Sequence, residues 1–146
     1  MIRDLIWDFF RKRELLTSVF EEVANVGAAS VSIFNDVCCR QLLAEVEARK
    51  YAFTPEVREQ GNVGARVYQE VETFVDFPAD SEFVLLKDIF EACLCEYAES
   101  FSLYPFSFAP VFNAITLARY TAGSIGITPH RDPFRYKNLI CIFILG

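Results

Sequence analysis

The chain has 146 residues, a one-domain length, of which 53% are hydrophobic and 15% aromatic; that composition argues against intrinsic disorder. Its net charge of −6 leaves no basic footprint for a nucleic acid apart from Arg11-Lys12-Arg13. No stretch reaches the roughly 18 to 20 apolar residues of a membrane span, and charges from Arg3 to Glu14 interrupt any signal-peptide core, so the expected location is cytoplasmic.

Residues 2 to about 26 carry apolar side chains at helical spacing, among them Leu5, Phe9, Leu16, Phe20 and Val23, and Gly27 is placed to cap the end. Ala28 to Phe34 is short and partly β-branched, and reads as a first strand. Asn35 or Asp36 can cap a second helix to about Arg49, with Val37, Leu42, Leu43 and Val46 toward the core. Pro55 breaks the pattern, and the polar segment Glu56 to Gly64 reads as an exposed loop. From Ala65 the period becomes two. Val67, Gln69, Val71 and Thr73 share one face; Tyr68, Glu70, Glu72 and Phe74 share the other, with the carboxylates outward. Asp80 or Ser81 caps a third helix to about Phe101, whose apolar stripe is Phe83, Leu86, Ile89, Phe90, Cys93, Leu94 and Tyr97.

After a loop from Leu103 to Pro110 the chain reads as strand-rich. Phe112 to Tyr120 is one strand. Gly123, Ser124 and Gly126 form a turn or bulge. Ile127 to Asp132 is a second strand, which Pro129 confines to an edge or irregular position. Pro133 to Asn138 connects it to Leu139–Leu145, LICIFIL, an apolar run typical of a strand buried on both faces. The five cysteines, Cys38, Cys39, Cys93, Cys95 and Cys141, are odd in number and form no CxxC pair; they are expected to be buried free thiols.

His130 is the only histidine, and Asp132 follows at i+2. On a strand those two side chains point to one face, so an imidazole and a carboxylate converge. They make up two thirds of a 2-His-1-carboxylate triad for non-haem Fe(II). A bare HxD triplet is a weak signal, and a lone histidine is more often packed or at the surface. The surrounding order of strand, glycine turn, HxD strand, connector and apolar strand gives it weight.

That order resembles the first half of the double-stranded β-helix of the 2-oxoglutarate/Fe(II)-dependent oxygenases, and within them the AlkB-like branch. The positions that carry the resemblance are Asn113, Arg119-Tyr120, Gly123, His130 and Asp132, with LICIFILG behind them. It covers roughly the last 35 residues. The chain departs from it at Ala118, where AlkB-like sequences often carry an Asn that helps hold the co-substrate. The resemblance implies Fe(II) on His130 and Asp132, with 2-oxoglutarate as co-substrate held by Tyr120 and Asn113. Tyr120 reads equally as a core tyrosine with its hydroxyl satisfied. Arg119 should face opposite to Tyr120 and is assigned a structural role. Arg131 points away from the ligand pair, and Arg135, Tyr136, Lys137 and Asn138 form either a substrate lip or a polar connector.

Family members place a second histidine and a co-substrate Arg or Lys on later strands. Neither follows up to Gly146, so the expectation is a fragment of such an enzyme, inactive alone, with no residue assigned as catalytic. The expected fold class is α+β: N-terminal helices packed on a partial double-stranded β-helix, or jelly roll. A helical and strand part spans 1–110 and the start of the jelly roll 111–146. The reaction implied is hydroxylation or oxidative demethylation of a small molecule, a modified base or a protein side chain. One alternative is a non-catalytic binding or scaffold module that keeps the fold without a complete metal site. Another is an unrelated α+β domain in which HxD is a coincidence. No membrane partner is expected. Self-association through the apolar edge 139–145 is, because an unpaired strand of that kind templates further pairing.

Overall fold

The computed structural model describes residues 13–49, 51–60, 67–101, 111–128 and 140–145. These residues form a mixed α+β structure of three helices and one three-stranded antiparallel sheet. In chain order the elements are α1 (Arg13–Val26), α2 (Asp36–Arg49), β1 (Thr54–Gln60), β2 (Val67–Phe74), α3 (Glu82–Phe101) and β3 (Leu117–Arg119). Among the described residues no helix is long and apolar enough to cross a membrane.

The helix ends follow the predicted chemistry. Gly27 closes α1 at φ +89°, donating its N–H to the Val23 carbonyl at 2.8 Å. That left-handed conformation costs glycine no steric penalty. Asn35 caps α2, its Oδ1 accepting from Cys38 N at 2.9 Å. Ser81 caps α3, its Oγ accepting from Phe83 N at 3.1 Å.

The core is built around α3. Phe83, Leu86, Ile89, Cys93, Leu94 and Tyr97 are buried, as the helical stripe predicts, together with Leu16 and Phe20 of α1 and Leu42 of α2. Phe90 of the same stripe is only partly buried, stacking on Phe112 and meeting Phe143 edge-on at centroid distances of 5.6 and 5.5 Å. Aromatic rings join sheet to helices: Phe74 stacks on Tyr51 at 4.3 Å and meets Phe77 edge-on at 5.1 Å, and Phe77 reaches Phe83.

The expected core face of α2 is half right. Leu42 is fully buried and Val46 partly so, but Val37 and Leu43 are 46% and 45% exposed. Cys38 takes the second buried position. Cys38 and Leu42 lie one turn apart at i, i+4, and this pair sets the helix's inner line. Ala28 to Phe34 forms no strand; Ile33 and Phe34 reach the core from irregular backbone.

The segment read as a loop from Glu56 belongs largely to β1, which pairs with β2 from Thr54↔Thr73 to Gln60↔Val67. Pro55 is tolerated there because β1 is an edge strand, where one N–H can be missing from the outward side. β3 is shorter than the predicted Phe112–Tyr120. It pairs Leu117–Arg119 with Phe74–Glu72, while Phe112 and Ile115 pack on the core. Glu91 of α3 holds this approach, its Oε2 accepting from Phe112 N at 2.7 Å.

The LICIFIL run is not buried on both faces. Ile140–Leu145 alternate: Ile140, Ile142 and Ile144 are exposed, the last two by 81% and 79%, whereas Cys141, Phe143 and Leu145 are partly buried. Period-two burial is the signature of one covered face. Leu139 lies outside the described residues. All five cysteines are free; Cys38 and Cys93 are buried and the other three partly so.

Burial pushes the Cys141 thiol up to about 12. The sign follows from linkage: a raised pKa stabilises the folded state below the ordinary thiol value of 9, and that contribution is lost as pH rises toward 12. A thiol held this high is a poor nucleophile near neutrality. Iodoacetamide at pH 8 should therefore leave Cys141 unmodified in the native protein and modify it after urea unfolding. Peptide mass mapping reads the difference, and equal labelling in both states would remove this assignment.

Candidate functional site

The segment that leads into His130 rests on the second edge of β2. Past β3 the chain turns away and then returns to the same edge. Thr121 to Ser124 forms the turn, with Ser124 N donating to Thr121 O at 3.0 Å and Gly123 at φ +85°. A type II turn needs a positive φ at that third residue, which glycine supplies without strain. The return is an antiparallel bridge, Gln69↔Ile127. Leu117–Arg119 and Ile127 thus share one partner, β2, with the turn between them; the rest of the second predicted strand, 129–132, lies outside the described residues.

Main-chain and side-chain bonds fasten this return. Glu70 N donates to Gly126 O at 2.8 Å and Thr128 N to Tyr68 O at 3.0 Å. On one side of the bridge, Thr128 Oγ1 accepts from Tyr68 N at 3.0 Å. On the other, Glu70 Oε2 accepts from Ile125 N at 3.1 Å. The neighbouring carboxylate, Glu72, accepts from Arg119 Nε at 2.6 Å. The Arg119 guanidinium also lies 4.1 Å from the centroid of the Phe53 ring. Arg119 is therefore structural, as its position beside Tyr120 predicts. The carboxylates of β2, expected merely to face solvent, tie the sheet edge together.

Of the predicted site residues, Asn113 and Tyr120 are described, and both are exposed. Tyr120 is 48% exposed, which overturns its reading as a core tyrosine. It follows the last residue of β3, past the end of the pairing with β2. His130 and Asp132 lie outside the described residues, as do Arg131 and Arg135–Asn138. As a donor set, a neutral imidazole nitrogen and a carboxylate oxygen are the types that Fe(II) accepts. Among the described residues no three His, Cys, Asp or Glu side chains gather to hold a metal ion.

A polar cluster that pattern reading did not find joins α2 to the start of α3. Glu45 is its hub, with a side chain only 7% exposed. Its carboxylate accepts from the Tyr51 hydroxyl, from Glu82 N at 2.7 Å and from Arg49 Nε at 3.1 Å. Ser81 Oγ lies 3.3 Å from the Tyr51 oxygen; a hydroxyl that gives its only proton to Glu45 can accept one from Ser81. Burial, and then the bond to Glu45, raises the Tyr51 phenol above its ordinary value. Arg49 also reaches Asp80, through Oδ1 and the main-chain carbonyl, at 3.1 Å each. The carboxylate sits at the α3 N-terminus, where the helix dipole favours negative charge. The only sequence signal was Glu45 and Arg49 at i, i+4, which reads as an ordinary surface pair.

No family model matches the chain, and no curated protein or solved structure matches it either.

Proposed function

We propose that this chain carries part of the Fe(II) site of an AlkB-like 2-oxoglutarate-dependent dioxygenase, which hydroxylates or oxidatively demethylates its substrate. The observation that carries the reading is the order Asn113, Arg119-Tyr120, Gly123, His130-x-Asp132 and LICIFILG. The placement of Arg119, the Gly123 turn and the return at Ile127 along one edge of β2 supports it, because a jelly roll would extend such an edge.

In this reading His130 offers a neutral imidazole nitrogen and Asp132 a carboxylate oxygen to the metal. When bound, iron and 2-oxoglutarate supply the oxidising chemistry, and the protein supplies position. Tyr120, through its hydroxyl, and Asn113, through its amide, are the residues that would hold 2-oxoglutarate. Two protein ligands leave most coordination positions to water, so binding by these 146 residues is weak. Mn(II) reports on it as a spectroscopic stand-in. The free-ion electron paramagnetic resonance signal should fall when wild type is added, and much less with His130→Ala or Asp132→Ala. Identical titrations for all three proteins would remove the metal site. Succinate release from 2-oxoglutarate by this chain should stay near background.

The exposed Ile140, Ile142 and Ile144 favour a second reading, a binding or scaffold module that keeps the fold without metal and self-associates through 139–145. It predicts no Mn(II) difference among the three proteins, together with a concentration-dependent sedimentation coefficient.

A further inference from the structure

We propose that the Tyr51 hydroxyl is a proton-dependent latch at the joint of α2, β2 and α3, closed while it carries its proton and released when alkali removes it. The proposal is independent of the metal reading above. Tyr51 lies in the short connection between α2 and β1. Its ring stacks on Phe74 of β2 at 4.3 Å and meets Phe77 edge-on at 5.8 Å, and Phe77 reaches Phe83 of α3. Its hydroxyl donates to one carboxylate oxygen of Glu45 on α2. The other oxygen of Glu45 accepts from Glu82 N, at the head of α3, at 2.7 Å. The ring therefore holds the sheet side of the joint and the hydroxyl its helix side, so one phenol touches the packing of all three elements.

The bond to Glu45 works only with the proton in place. A phenol gives the carboxylate a hydrogen; a phenolate has none to give, and stands as a second anion beside a side chain only 7% exposed. The described polar groups that face the phenol are Glu45 and Arg49 from α2 and Ser81 from the cap of α3. Asp80 and Glu82 touch this set at one remove, Asp80 through Arg49 and Glu82 through its N–H on Glu45. From β2 and the connection after it come the rings of Phe74 and Phe77. Ser81 and Arg49 favour the phenolate, but Arg49 is already shared between Glu45 and Asp80. Burial and Glu45 outweigh them, and the phenol is held above its ordinary value of 10.0. By linkage, a proton held more tightly in the folded state gives stability that is complete below pH 10 and is lost as pH rises through the higher folded value.

Tyr51→Phe tests the latch, because it keeps the ring against Phe74 and Phe77 and removes the hydroxyl. The measurement is the urea midpoint, followed by far-UV circular dichroism at pH 7.5 and at pH 10.5. At pH 7.5 Tyr51→Phe should unfold at lower urea than wild type, since Glu45 has lost a donor. At pH 10.5 the gap should shrink to about half or less, because wild type loses the latch and the variant has none to lose. Every other tyrosine and all five cysteines are common to the two proteins, so their titration cancels in the difference. Tyrosinate absorbance at 295 nm, wild type minus Tyr51→Phe, should rise with a midpoint above 10.0. A gap of equal size at both pH values overturns the proposal, as does an absorbance midpoint at or below 10.0. Glu45→Gln carries the test if Tyr51→Phe does not fold. It keeps an accepting oxygen and removes the neighbouring anion, so its urea midpoint should fall less than that of wild type between pH 7.5 and pH 10.5. An equal fall in the two proteins overturns the proposal.

Discussion

Glu45→Ala should destabilise the fold by about 2 to 4 kcal/mol, a large share of the stability of a domain this size. The cost has three sources. The Tyr51 hydroxyl loses the acceptor to which it gives its proton, and Glu82 N at the head of α3 loses a charge-assisted bond. Arg49 loses one of its two carboxylates, the less exposed one. The Glu45 side chain is 7% exposed, so water is poorly placed to replace it. Glu45→Gln keeps an accepting oxygen and removes the charge, and should fall between alanine and wild type. Urea unfolding monitored by far-UV circular dichroism gives the ordering. Glu45→Ala within 0.5 kcal/mol of wild type, at the level of an ordinary surface change, would show that the hub does not fasten α2 to α3.

Two adjacent leucines on α2 should behave very differently. Leu42 has no exposed surface and sits in the core cluster with Leu94, while Leu43 is 45% exposed. Truncating a fully buried leucine removes its transfer free energy and leaves a cavity, at about 2 to 5 kcal/mol. Leu43→Ala should cost less than about 1 kcal/mol, since much of its surface is already in water. Parallel denaturant melts of Leu42→Ala and Leu43→Ala measure the contrast. Equal losses would mean that α2 presents a wider face to the core than its Cys38–Leu42 line.

These two experiments also mark where sequence reasoning succeeds and where it stops. The stripe of α3 was legible because seven apolar residues at helical spacing leave one phase open, and six of them are buried. The caps at Gly27, Asn35 and Ser81 were legible because their chemistry is local. On α2 the apolar residues are spread around the helix, so pattern alone could not choose between Leu43 and Cys38 as the inner residue. β1 was missed because it is polar, carries Pro55 and owes its existence to β2, a partner that no local signal reveals. The interruption of the β2 edge was visible as glycines, but not the fact that both halves share one partner. The Glu45 hub joins residues up to 37 positions apart and has no period at all. Of the candidate site, His130 and Asp132 lie outside the described residues, and only Asn113 and Tyr120 can be placed. The exposure of Tyr120 depends on where β3 ends, and three residues of pairing leave no trace in composition.

The sheet order has a consequence for the nascent chain. β2 is central, yet its two neighbours are delivered at very different times. β1 has already left the ribosome when β2 emerges, and the hairpin can close at once. The other neighbour begins at Leu117, about forty residues after Phe74, with the whole of α3 in between. At a synthesis rate of roughly 5 to 20 residues per second, that edge of β2 waits about 2 to 8 seconds for its partner. Throughout that interval it presents open main-chain donors and acceptors, the template on which strands of other chains add. The polar residues of β2 and its neighbour then serve twice: Glu70 and Glu72 discourage stray pairing while the edge is bare, and later grip Ile125 and Arg119 when the proper strand arrives.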